Sequence, residues 1–297
     1  MQAKLFRFLP CALALFVSAL PVFSQSKSID VVSKKLVKEI MENEMVTVIH
    51  AKGRMGMEKF AGTEGIQIIN AYQIARHEVT QELYTAVMGE NPSYFKDNPA
   101  SDEVQEKRPV ENVSWYDAIY FCNKLSIIMG LTPAYSVNGK TDPTTWGYIP
   151  HKGNSFKDTV TCNFTSNGFR LPTEAEWEMA ARGGMNGGWD YKYPGSDQLN
   201  DVAWCDDNSY EKIDGRYKYK THEVGKKQAN ELGLYDMSGN VWEWCDNYSD
   251  MTMSIGGAYR GGSYSSYDTF CEVSYHGDTY PANRNRATGF RFACSVF

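Results

Sequence analysis

The earliest regular pattern in the chain lies in Ser28–Met41, where Val31, Val32, Leu36, Val37 and Ile40 recur at roughly helical spacing among polar residues. A lead-in helix is expected there, over residues 25–44. From Met45 to Ile74 the pattern changes to short apolar runs separated by glycine (Val46–Ile49, then Ile66–Ile69), which predicts strands and turns. Three further helices announce their own starts. Thr80 precedes Gln81-Glu82-Leu83-Tyr84, with Leu83, Val87 and Met88 on one face and Gly89 as a stop. Ser114-x-x-Asp117 is a capping box ahead of Ala118–Ile128, ended by Gly130. Thr173-x-x-Glu176 is another, following Pro172 and closed by Gly183-Gly184. The remainder is rich in Gly, Asn and Asp with isolated aromatics and shows no repeat, linker or low-complexity block. Residues 45–297 therefore predict one mixed α+β domain with much irregular structure.

Ahead of the lead-in helix, Lys4 and Arg7 precede an apolar run, Phe8 to Phe23, broken by Pro10, Ser18 and Pro21, and Val22-Phe23-Ser24 supplies small residues for cleavage. This predicts a signal peptide over residues 1–24 rather than a membrane-spanning helix, and hence export to the cell surface or periplasm. Cys11 offers a lipid-anchoring alternative, the one route by which a membrane would enter. Most of the apolar run follows Cys11, however, so a cut there would leave that run on the mature chain. Beyond the signal stand six cysteines, none in a C-x-x-C pair, so no zinc-site spacing is present. In an exported chain they are open to disulfides or to burial as free thiols.

Composition changes the picture in two ways. The net charge of −6 argues against nucleic acid as a partner. Aromatics reach 13%, with 19 Tyr and 7 Trp, an unusual supply of flat amphipathic surface.

Six ordered stretches carry a resemblance: Ala75–Thr80, Asn112–Trp115, Gly168–Glu178, Gly233–Trp244, Arg260–Tyr264 and Gly289–Arg291. Together they resemble the formylglycine-generating enzymes, whose fold is an elaborated C-type lectin-like domain. The resemblance implies a fold and, by itself, little about function, because that fold hosts enzymes and binding proteins alike. Trp242 and Trp244 flank Glu243, and a carboxylate between indoles is costly unless paired. In the family the matching positions ligate calcium, Asp236 and Glu243 by side chain and Gly239 and Val241 by backbone carbonyl, so the resemblance implies a structural Ca²⁺. The alternative is a metal-free Glu243 bonded to Arg170 or Arg291.

The family's oxidases bind Cu(I) through two cysteines just after the Arg-Gly-Gly-Ser-Tyr stretch. Here the second falls on Cys271 and the first on Ser266. Cu(I) is soft and a serine hydroxyl is a poor substitute for thiolate, so no copper and no enzymatic activity are expected. The iron-dependent branch of the family needs a three-histidine cluster. His50, His77, His151, His222 and His276 show no helical ligand spacing.

The segment Tyr264–Thr288 differs from its surroundings. Between Arg260-Gly261-Gly262-Ser263 and Gly289-Phe290-Arg291-Phe292 it is dominated by Tyr, Ser, Asp, Thr, Asn, Arg and Ala, with Glu272 as its one Glu and no Lys, Gln, Met or Trp. Adenine substitution in Asn codons never yields Lys, Glu, Gln, Met or Trp. The pattern resembles the variable proteins of diversity-generating retroelements, which often rewrite the 3′ end of a C-type lectin-like domain. That resemblance implies varied, surface-facing positions at Ser265, Ser266, Tyr267, Asp268, Phe270, Tyr275, Gly277, Asp278, Thr279, Tyr280, Arg286 and Ala287, and scaffold at Cys271, Pro281, Asn283 and Arg284. Tyr with small polar residues is the chemistry of antibody-like contact surfaces. The expected partner is an unknown protein or surface ligand; a structural envelope protein or an altered oxidase is the alternative.

Overall fold

The helix caps form as the sequence writes them. In the computed structural model, which describes residues 23–49, 51–55, 65–152, 159–187, 190–246 and 257–296, the Thr80 hydroxyl accepts from the Leu83 N–H at 3.2 Å. Helix Gln81–Met88 then ends on Gly89 at φ +88°, a left-handed conformation that glycine adopts without a Cβ penalty. Ser114 and Asp117 close a reciprocal box on helix Trp115–Met129, and Thr173 and Glu176 do the same on helix Glu174–Ala181. The middle helix begins three residues before the expected Ala118, because Trp115, Tyr116 and Asp117 form its first turn. The lead-in helix runs Phe23–Met41, stopping short of 44, and buries Val37 and Met41 against the main core. Residues 1–22 of the expected signal segment lie outside the described residues.

Two four-stranded sheets organise the rest. In the first, Met45–Val48, Tyr72–Ala75, Ala293–Ser295 and Phe169–Arg170 pair antiparallel in that order, so both ends of the domain meet in one sheet. In the second the order is His276–Thr279, Gly257–Arg260, Trp242–Trp244 and Thr288–Gly289, the last pair parallel. The His276–Thr279 strand is its edge. Two-stranded ribbons occupy the loops, among them Tyr210–Ile213 with Arg216–Tyr219 and the expected strand Gly65–Ile69 with Ala51–Met55. Among the described residues no helix is long and apolar enough to cross a membrane.

The core is aromatic. Trp177, Trp244, Tyr84, Tyr135, Phe121, Phe290 and Phe292 are fully buried, and Phe290 meets Phe121 and Tyr84 edge-on at 5.2 and 6.3 Å. The Gly289-Phe290-Arg291-Phe292 run thus locks the far end of the variable segment into the core.

Candidate functional site

A single buried ion pair determines the Glu243 environment. The Arg291 guanidinium forks onto both Glu243 oxygens, Nε to Oε2 at 2.7 Å and Nη2 to Oε1 at 2.6 Å, and Trp177 Nε1 donates to Oε2 at 2.6 Å. Arg291 spends its other protons on the carbonyls of Ala75, Arg76 and Tyr235. Both side chains are wholly buried, where a bidentate fork is the arrangement that offsets desolvation. Of the expected calcium set Asp236, Gly239, Val241 and Glu243, Glu243 has both carboxylate oxygens engaged by Arg291. Asp236 turns one oxygen to the Gly225 N–H at 2.7 Å, while its other, buried, meets no donor among the described residues.

Beside Asp236 sits a further buried carboxyl, Glu78. Glu78 accepts from Asn240 Nδ2 at 2.7 Å and from the Val241 N–H at 3.0 Å. Burial, together with the charges of Asp236 and Glu243, holds its carboxyl well above the ordinary range.

The segment 264–288 is held differently, by its main chain. The Trp115 N–H donates to the Pro281 carbonyl at 3.0 Å, Asn112 to Asn285 at 3.0 Å and Trp242 to Ala287 at 2.8 Å. The Ser238 hydroxyl donates to the Cys271 carbonyl at 2.6 Å, the Ser209 hydroxyl to the Tyr264 carbonyl, and the Asp206 N–H to the Ser266 carbonyl at 3.3 Å. Every acceptor is a backbone carbonyl, present whatever side chain the position carries. A buried side-chain tether is added at Arg284, whose Nε and Nη2 reach the Asp117 oxygens at 2.8 and 3.2 Å and whose Nη2 reaches the Tyr148 hydroxyl at 2.7 Å, and Lys192 pairs at the surface with Asp268 and Glu272 at 3.6 and 3.4 Å. Burial alone would raise the Asp117 carboxyl, but Arg284, with the nearby His151, pulls it below the usual range.

Of the expected varied positions, Ser265, Tyr267, Asp268, Phe270, Asp278, Tyr280 and Arg286 are exposed, with Tyr267 at 66% and Tyr280 at 61%. Tyr275, Gly277, Thr279 and Ala287 are half-buried. Two depart from a freely varied, surface-facing role. Ser266 is buried, its hydroxyl accepting from the Ser263 N–H at 3.0 Å, so it is scaffold. Gly277 lies opposite Tyr259 in the sheet, and a Cβ there would come within 2.6 Å of the Tyr259 ring, so a larger residue requires that ring to move. Among the scaffold positions Cys271 is fully buried beside Tyr193, Val202 and Cys205, and burial pushes its thiol far up, away from thiolate. Asn283 is exposed, although its amide bonds the Thr279 hydroxyl at 2.6 Å.

These positions do not form one patch. Ser265, Ser266, Thr279, Arg286 and Ala287 line a cleft of about 750 Å³, whereas Tyr267, Asp268 and Phe270 lie outside its lining, on and beside the short turn Asp268–Cys271. The remaining lining includes residues the sequence did not single out, among them Tyr94, Tyr217, Lys218, Tyr219 and Tyr259. Arg286 stands over the Tyr94 ring at 5.4 Å, and burial pushes the nearby Tyr264 hydroxyl up to about 12 against the pull of the Arg286 charge. Such a cleft, aromatic-walled with a few convergent polar groups, suits ligand binding.

Comparison with known proteins agrees with this architecture. Residues 31–296 match the sulfatase-modifying factor enzyme 1-like domain. The solved structure of Treponema denticola variable protein 1 superposes with a TM-score of 0.74 at 38% identity, over 85% of this chain and 95% of that one. The chaperone protein LppX of Paenibacillus barcinonensis is 40% identical over 222 residues, 70% of this chain and 75% of its own. The formylglycine-generating enzyme of Streptomyces coelicolor is 33% identical over 152 residues, 42% of this chain and 46% of its own. With the capped helices, the Arg291–Glu243 node and the lectin-like sheets in place, the chain belongs to the sulfatase-modifying factor enzyme 1-like, or formylglycine-generating enzyme-like, family.

Proposed function

We propose that the chain is an exported, surface-displayed ligand-binding protein without enzymatic activity, whose segment 264–288 carries the contacts and is diversified by a retroelement. The observation that carries this reading is the mode of anchorage. Apart from the Arg284–Asp117 tether and surface ion pairs at Asp268, Glu272 and His276, the bonds from the rest of the domain end on the segment's main chain, so most of its exposed side chains are free to change without loosening the frame. The similarity to a protein named as variable, at 38% identity, supports it. The departure from the oxidases lies in the copper pair: Ser266 is hydrogen-bonded within the frame, and Cys271 is a buried thiol.

The test is direct. The DNA flanking the gene should contain a near-copy of its 3′ end differing mainly at adenines, beside a reverse transcriptase gene; absence of both removes the diversification. Stoichiometric copper binding that is lost in Cys271→Ala would instead establish the oxidase reading.

A further inference from the structure

The cleft has a second wall that lies outside the segment 264–288. Strands Tyr210–Ile213 and Arg216–Tyr219 form a hairpin whose turn residues Asp214 and Gly215 both have positive φ, 52° and 76°, as a tight type I′ connection requires. Tyr210, Tyr217 and Tyr219 are 40%, 55% and 39% exposed, and their rings pack on one another, Tyr210 to Tyr217 at 4.7 Å and to Tyr219 at 5.7 Å. Three large rings packed edge to face on one ribbon and left partly facing solvent mark an interaction surface more than a structural one.

The charge of the cleft runs against that of the molecule. On a chain of net charge −6, the described lining contains Lys218, Arg284 and Arg286 and no Asp or Glu. Arg284 is neutralised by Asp117, and the hairpin's Glu211 is held by Lys220. Lys218 and Arg286 remain as a positive centre in a concave site, where low-dielectric walls focus the field. A neutral sugar would leave Lys218 and Arg286 without a counter-charge.

We propose that this hairpin is the fixed jaw of the binding cleft and that the cleft takes an acidic polypeptide segment bearing aromatic side chains. Its carboxylates meet Lys218 and Arg286, and its rings stack on Tyr217, Tyr219 and Tyr94. The proposal rests on the reading of segment 264–288 as a binding surface. Because the hairpin lies outside that segment, copies that differ in the segment keep the aromatic jaw and Lys218, and the segment adjusts the rest.

The full mature chain is titrated by biolayer interferometry with a random glutamate–tyrosine copolymer, a lysine–tyrosine copolymer, polyglutamate and dextran sulfate. The glutamate–tyrosine copolymer should bind at least tenfold more tightly than the other three. Replacing Tyr217→Ala, Lys218→Glu and Tyr219→Ala together should weaken it at least tenfold without moving the thermal unfolding midpoint, since all three side chains are exposed. Equal or tighter binding of the lysine copolymer, preference for dextran sulfate, or no binding of any polymer overturns the proposal. If the hairpin variant binds unchanged while Arg286→Glu abolishes binding, the fixed jaw is wrong and the variable binding surface stands. If neither variant changes the binding of a bound copolymer, both readings fail.

Discussion

Glu243 and segment 264–288 are both tied tightly to the domain, but by different chemical groups. At Glu243 the ties are side chains: Arg291 forks onto it, Trp177 donates to it, and Glu78, Asp236 and Asn240 beside them are all buried. No other pair of residues reproduces that geometry, so sequence is fixed there by structure. Along 264–288 the ties are backbone carbonyls, accepting from Trp115, Asn112, Trp242 and the hydroxyls of Ser238 and Ser209. There the path of the chain is fixed while most side chains are not. A domain can hold a loop rigidly without dictating its sequence, provided the bonds end on groups that every residue carries.

The contrast gives graded expectations. The largest effect should come from Arg291→Met, which strands the Glu243 carboxylate in the core. A loss of about 3–5 kcal/mol is expected by urea unfolding, enough to threaten folding altogether. Next is a pH effect beneath the cleft. Burial raises the Glu111 carboxyl from an ordinary 4.5 to about 7, and one of its oxygens is buried without a donor. A raised carboxyl favours the fold most below 4.5, and that stability is lost as pH climbs toward about 7. Glu111→Gln should remove this slope, worth about 3 kcal/mol, from unfolding curves taken across the same range. Arg284→Ala, which cuts the segment's one buried-carboxylate tether, should cost about 2 kcal/mol, because Asp117 keeps its bonds from Ser114 and Tyr148.

Helix starts were the most legible part of the sequence, since a cap is a local chemical event written within four residues. Thr80, Ser114 and Thr173 all act where expected. The Glu243 site was legible only as a choice. The indoles around the carboxylate required a partner, but sequence spacing cannot tell a metal from Arg291, 48 residues away. The cleft was half legible. Composition marked one wall, while the opposite wall is brought there by tertiary folding. Asp214-Gly215 between tyrosine-rich strands was a readable hairpin signal, yet nothing local says which cleft a hairpin will border. The burial of Ser266 and the closeness of Gly277 to Tyr259 were not legible, since the one depends on the turn that folds Ser266 back onto Ser263 and the other on pairing across the sheet.

The smallest expected effect is the most telling. A variant with Ser265, Tyr267, Asp268, Tyr280 and Arg286 all replaced by Ala, unfolded in urea at pH 7, should lie within about 2 kcal/mol of the parent chain, with an unchanged denaturant slope. A loss of 4 kcal/mol or more, comparable with breaking the Arg291–Glu243 pair, would mean that these side chains support the frame and that the segment is not free to vary.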